Sequence, residues 1–290
     1  MASTVTRVQV NGMPPEPRLA TIATVQQAIT SLLTTYEPTF LTFGLTFFRS
    51  IAVILIVWHG LKMMFTQQTV ALPEHMFEFA KLLLFISFGY ALIAYYENPI
   101  PGVGVSFSNL ITDQAANFAN ILDARSLEQT FEHLDDLWDR FVQPDTWAIL
   151  PNLLYWLVLI IIAVAKAAAL GAITYGMIAT AVCGLLGPIF VPFLIVPHFE
   201  FMFWGWLKAF IQFAFIQVVA FAYLMIFERF VFHFLTTVPV GITEDQYLLY
   251  GVQSIVVIAT FALGTLLIPS LTGAIFSGGG AGLGVLPSRL

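Results

Sequence analysis

Residues 147–210 read WAILPNLLYWLVLIIIAVAKAAALGAITYGMIATAVCGLLGPIFVPFLIVPHFEFMFWGWLKAF. The run is too apolar for a soluble core helix and too long for one membrane crossing, which takes about 20 apolar residues. Over residues 151–197 its one charge is Lys166. Residues 153–164 are bulky, as a lipid-facing helix would be. Ala168, Ala172, Gly176, Thr180 and Gly184 then recur at every fourth position. They lay small side chains along one stripe of a helix, where a second backbone can come close. Gly184 and Gly187 lead into Pro188, Pro192 and Pro197. Proline lacks a backbone donor and its ring collides with the preceding turn, so a straight helix is not expected to continue through residues 187–197. Irregular backbone at membrane depth persists only where protein buries it or where it lines a water-filled cavity. Two readings stand open: the break ends one span and begins the next, or it is a re-entrant segment or hinge. Both require close neighbours.

Composition places the whole chain in the same setting. Of 290 residues 59% are apolar and 10% charged, and 28 are Phe, against about 45–50% and about 25% in soluble proteins. An all-α integral membrane protein in contact with membrane lipids follows. The net charge of −6 and the lack of a Lys/Arg cluster argue against sequence-specific nucleic-acid binding. The single cysteine, Cys183, excludes an intrachain disulfide and a cysteine metal site. Residues 1–17 are polar and Pro-rich, with no apolar core of a cleavable leader, so the first apolar segment is expected to act as an uncleaved anchor.

Taken in order, residues 1–37 form an arm whose positions Leu19, Ile22, Val25, Ile29, Leu32, Leu33 and Tyr36 follow helical spacing. This amphipathic helix is expected to end at Glu37-Pro38. Residues 38–96 hold two spans, about 40–65 and 76–96, with Glu78 and Lys81 spaced to pair. Residues 97–146 are an acidic loop with two short helices. The second is expected to open on a capping box, Ser126 to Gln129, and to carry the stripe Leu127, Phe131, Leu134, Trp138 and Phe141. Those narrow apolar faces call for docking on the membrane bundle or on another protein, the alternative being a solvated hairpin. Residues 147–269 form the C-terminal bundle, with spans at about 203–234 and 246–268 and Pro269 as the stop. Residues 270–290 are a glycine-rich tail. The count is five spans if residues 188–197 are re-entrant or continue the preceding helix, and six if they cross; five is the reading adopted. Lys62 and Lys81 flank the first short loop, so positive-inside reasoning puts that loop in the cytoplasm. The N-terminus and residues 97–146 then lie outside, and five spans put the C-terminus inside.

Chemistry-bearing motifs are missing. No Walker loop, H-E-x-x-H, G-x-S-x-G or paired cysteines occur, and the five histidines show no i,i+4 pair. No catalytic residue, cofactor or metal is implied. The intramembrane charges Arg49, Lys166, Lys208 and Glu228 remain; a charge at depth is costly and faces a bundle interior, a wet cavity or a partner, unless its stem reaches the interface. They would line the path of a stand-alone channel or transporter, the competing reading. An intramembrane enzyme would need a convergent acid/base site, which the sequence does not offer.

In LGPIFVPFLIVP, residues 186–197, and onward through FMFWGWLKAFIQFAFIQVVA, the chain resembles the TrbL/VirB-type polytopic inner-membrane proteins of bacterial type IV secretion systems. The family pattern is similar: a long apolar segment, a Gly-Pro turn, an aromatic elbow with Trp and a further long span. The resemblance implies an oligomeric inner-membrane platform of a conjugation or secretion machine. Its expected neighbours are a minor pilin, pilin, a bitopic scaffold and separate ATPases. Under it, the small-residue stripe packs helices or protomers, the helix break Gly187, Pro188, Pro192 and Pro197 shapes the platform centre, and residues 105–142 meet a periplasmic partner.

Overall fold

The computed structural model describes residues 17–66, 72–121, 125–145 and 147–277. These form α1 (Pro17–Thr66), α2 (Leu72–Ala94), α3 (Phe107–Ile121), α4 (Arg125–Asp139), α5 (Ile149–Phe190), a 3-10 segment (Val191–Ile195), α6 (Glu200–Thr237), α7 (Tyr247–Leu266) and α8 (Ile268–Ser277). Five helical stretches are long and apolar enough to cross a membrane: Thr24–Phe65, Met76–Ala94, Ile149–Ile195, Glu200–Thr237 and Tyr247–Leu266. The protein is an all-α polytopic membrane protein.

Its frame is the antiparallel hairpin of α5 and α6, turning at residues 196–199. A Cβ on Gly176 of α5 would lie 3.0 Å from Ile216 of α6. Buried residues on both helices share one cluster, among them Val158, Ala165, Ala169, Ile173, Ile216, Ala220 and Leu224. α1 lies along α5: Gly44 packs directly on Pro188, and Val25 and Ile29 pack on the α5–α6 cluster. α3 and α8 pack along the middle of α6, where Phe118 and Phe276 meet Phe215, and α2 and α7 take the hairpin's two ends. α2 packs at the turn, where Gly89 meets Phe48 and Ile195. α7 packs at the other end, where Gly251 meets Leu154. Leu154 and Ile195 are about 40 residues apart along one helical path, roughly 60 Å at about 1.5 Å per residue. Two apolar cores result, one around Phe48, Ile93, Tyr96, Leu194, Phe203 and Phe210 at the turn, the other around Leu134, Val158, Leu224, Val231, Ile258 and Phe261 at the far end.

α4 closes the far core. Leu127, Phe131, Leu134, Leu137 and Phe141 are buried in the same cluster as α5 and α6 residues, and Trp138 packs its ring 4.1 Å from that of Tyr155. Polar pins fix its position. Asp135 pairs with Lys166, His133 lies 3.3 Å from Glu228, and Arg140 donates to the Leu235 carbonyl at 2.9 Å and also to that of Val238.

Several expectations are corrected. Glu37-Pro38 does not end a helix: α1 runs through it for 50 residues, because one proline removes one backbone bond and neighbours on both sides hold the rest of the helix. α5 likewise continues through Pro188 as far as Phe190 and only then tightens to 3-10 geometry, so residues 188–195 continue the preceding helix. Ser126 is not a cap. It lies inside α4, and its hydroxyl is buried without a hydrogen bond among the described residues. Glu78 pairs with Lys62 across helices at 3.3 Å, not with Lys81 along its own. The last span ends at Leu266, just before Pro269; Pro269 itself sits in the first turn of a further short helix, α8, where its missing donor costs nothing. The stripe Leu127, Phe131, Leu134, Trp138 and Phe141 is not a free partner surface, because α5, α6 and residues beyond them cover it. The arm of residues 1–16 and the glycine run after Ser277 lie outside the described residues.

Candidate functional site at the broken helix

Pro188 and Pro192 each lack the donor that an α-helix sends back four residues, which releases the carbonyls of Gly184 and Pro188. Both are answered from neighbouring helices. The Tyr96 hydroxyl, just past the end of α2, donates to the Gly184 carbonyl at 2.6 Å. The Pro188 carbonyl faces Gly44 of α1, whose Cα comes so close that a Cβ there would lie 2.7 Å from the carbonyl carbon. Approach of this kind brings a Cα–H onto an oxygen, a weak but recurrent helix–helix contact. One residue before Gly184, the Trp206 indole of α6 donates to the Cys183 carbonyl at 2.9 Å. Gly187 has no room for a side chain: its Cβ would fall on the Tyr96 ring and hydroxyl. Gly187, Pro188 and Pro192 are buried, while Pro197 is exposed at the turn. The irregular backbone is thus clamped on three sides by α1, α2 and α6.

The small-residue stripe runs from this clamp along α5. Ala172, Gly176, Thr180 and Gly184 are buried and Ala168 is half-buried. Gly176 meets Ile216 and Gln217 of α6. Thr180 and Gly184 border a cavity of about 490 Å³ between α1, α3, α5 and α6. Its lining is polar for a site inside a membrane protein: Gln26, Thr30, Glu37, Asn109, Asp113 and Gln217 contribute. Beside it lies the Glu97 carboxyl, a neighbour of Glu37 and Ser108. Burial first, and then the Glu37 carboxyl, push Glu97 up to about 8, so Glu97 carries a proton at neutral pH.

The intramembrane charges separate into two kinds. Lys166, with its side chain 13% exposed, is held by Asp135 and stands 5.6 Å from the Phe131 ring centre. Glu228 meets His133. Both therefore tie α4 to the hairpin. Arg49 and Lys208 are exposed. Arg49 sits in an outward groove with Ser87 and Tyr90 and makes no ion pair among the described residues.

Sequence reasoning missed Gly44, Tyr96, Glu97, Ser108, His133 and Asp135. Two of them had a signal. Gly44 is an isolated glycine in a Phe- and Leu-rich span, which marks close backbone approach. Lys166, alone in a long apolar run, required a carboxylate. Nothing in the sequence pointed to Tyr96 over Tyr90 or Tyr95. No group of three or more metal-ligating side chains occurs among the described residues.

Fold and site together define a polytopic helical membrane protein built on a proline-broken hairpin that its own helices clamp. Residues 52–269 match the family described as TrbL/VirB6 plasmid conjugal transfer protein, and the chain belongs to that family. No curated protein sequence matches it.

Proposed function

We propose that the protein is a platform subunit in the inner membrane of a type IV secretion or conjugation machine, where copies assemble and support the pilus or stalk and the transfer of substrate. Family membership over residues 52–269 carries this reading and makes the protein a component of a conjugal transfer system. The clamp around Pro188 supports it, because a helix broken deep in the bundle and locked by three neighbours gives a rigid centre and not a moving gate. The partners are other subunits of the machine: a minor pilin, pilin, a bitopic scaffold and ATPases that supply the energy. Residues 97–146 face the periplasm in this reading, and residues 67–71 the cytoplasm.

Two measurements test it. Deleting the gene from a donor strain should abolish conjugative transfer or secretion, and restoring it in trans should recover it. Gentle solubilisation should bring down the scaffold and ATPase subunits with the tagged protein. Unchanged transfer in the deletion strain refutes the proposal, and so does solute flux through liposomes holding this chain alone, which is the mark of a stand-alone channel.

A further inference from the structure

Residues 38–58 of α1 carry one charge, Arg49. Glu37 lies roughly 18 Å along the helix on one side of it and His59 roughly 15 Å on the other, at about 1.5 Å per residue. The apolar stretch between them matches the about 30 Å of hydrocarbon in a bilayer. Arg49 therefore leaves the helix near mid-membrane, too deep for its alkyl stem to carry the guanidinium to either surface. Lys166 and Glu228, also set in apolar helices, find partners within the chain, Asp135 and His133. Lys208 starts roughly 12 Å along α6 from Glu200, closer to a polar end. Arg49 is exposed and has neither a hydrogen bond nor an ion pair with the described residues.

The groove that Arg49 lines, about 370 Å³ between α1 and α2, also holds Ala52 and Ser87. Small residues at these positions let a foreign helix come close, and exposed Val53 and Ile56 give it an apolar wall. The hydroxyl-bearing Ser87 and Tyr90 stand in the same groove, and no acid among the described residues lines it. A guanidinium in hydrocarbon calls for a carboxylate, which it holds through paired hydrogen bonds. A lipid phosphate does not supply the charge, because it stays at the membrane surface, roughly 15 Å from mid-membrane. A second copy of this chain has no acid to give. Residues 38–73, 79–96, 149–199, 201–227 and 247–277 contain none, and Glu228 is engaged by His133. What remains is a transmembrane helix of a different protein.

We infer that the Arg49 groove seats such a helix, one that carries an Asp or Glu near the middle of an otherwise apolar span. The inference rests on the secretion reading only for where the partner is sought, among the membrane proteins of the same machine. An acid in mid-span is rare, so the partner is recognisable from its own sequence. The pairing also gives the groove selectivity: an apolar helix without the acid leaves the guanidinium buried and unpaired, which is strongly unfavourable.

Crosslinking in intact donor cells tests this on the full-length protein. Val53, exposed in the groove, is replaced by a photo-crosslinking amino acid, and the adduct is identified by the peptides it contains. The expected adduct is a membrane protein with an acid in mid-span. Arg49→Glu should lower its yield by about tenfold or more, as an unpaired buried charge costs more than one decade in an equilibrium constant. Changing the partner's acid to Lys in the same cells should restore the yield, which also shows that Arg49→Glu inserts and folds. No adduct, an adduct between copies of this chain, a partner without a mid-span acid, or reversal without rescue overturns the assignment. Arg49→Cys in a Cys183→Ala background gives a second readout: a charged, membrane-impermeant thiol reagent should leave it unmodified in the assembled machine. Rapid modification places this position in a wet path and overturns the assignment as well. These failures leave the secretion reading standing, since transfer by the deletion strain is scored separately.

Discussion

Tyr96 donates its hydroxyl to Gly184 at 2.6 Å, and Gly184 is the residue whose carbonyl Pro188 leaves without its helical donor. A side chain from outside the helix thus completes the hydrogen bonding that proline interrupts. In lipid this matters more than in water, because no solvent is present to take over a freed carbonyl.

Tyr96→Phe is expected to keep the ring packing with Phe107 and Trp206 and lose only that bond. Stranding a buried carbonyl costs about 1–3 kcal/mol. The protein should insert normally and melt several degrees lower in detergent. Gly187→Ala is the harsher change, since its methyl lands on the Tyr96 ring and forces the hydroxyl off Gly184. An unchanged melting temperature for Tyr96→Phe would show that Gly184 finds another donor.

How much of this was legible in the sequence follows the physics of each signal. Hydropathy and proline spacing report on single segments, so the helical class, the spans and the region of the break could be read directly. The outcome at the prolines could not. Whether Pro38 or Pro188 ends a helix depends on what neighbouring helices offer to the freed carbonyl and to the exposed flank, and that is a tertiary property. The stripe of α4 was visible as amphipathic, but its periodicity is the same whether the covering surface is α5 or a separate protein. The two-ended layout was hidden for a similar reason: α2 and α7 have equal claims to be spans by composition, and only Gly89 on Ile195 and Gly251 on Leu154 reveal their separation.

The small-residue stripe makes a prediction that separates close packing from mere smallness. A Cβ on Gly176 would meet Ile216 at 3.0 Å, whereas one on Gly184 finds its nearest neighbours at 3.8 Å. Gly184→Ala should therefore be close to neutral. Gly176→Leu should wedge α5 from α6, at a cost of about 1–3 kcal/mol or more from overpacking. Limited proteolysis of the solubilised variants reads this directly: faster cleavage of Gly176→Leu alone is expected, and equal behaviour of the two would refute the geometry.

Glu97 gives a pH dependence whose sign is fixed by its environment. Its folded value, about 8, lies above the ordinary 4.5. Between those values the folded state therefore holds a proton that the unfolded state has released. Stability from this group is complete below about pH 4.5 and is lost as the pH rises through about 8. Part of the group faces solvent, so the effect is modest, a few degrees of melting temperature. Thermal unfolding from pH 5 to 9 should show the native protein declining, and Glu97→Gln, which keeps a neutral hydrogen-bonding group beside Glu37, should decline less. A parallel slope in both proteins would assign the dependence elsewhere.

The Lys166–Asp135 pair is unequal, and the inequality predicts an order of damage. Lys166 has 13% of its side chain exposed and Asp135 has 46%. Asp135→Asn removes the carboxylate and leaves an ammonium in the apolar flank of α5, where burial of a charge without its counter-ion is strongly destabilising. Lys166→Met leaves instead an aspartate that already reaches water, and the thioether fills much of the lysine's volume against Phe131. We expect Asp135→Asn to cost about 2–3 kcal/mol, below the full value for a buried pair because one partner is half in solvent. Lys166→Met should cost less, and the double variant should be more stable than Asp135→Asn alone. Unfolding of the three variants in mild detergent completes the cycle. Additive losses would mean that the pair does not hold α4 to the hairpin, and that His133–Glu228, Arg140 and the buried face of Leu134 and Leu137 do so without it.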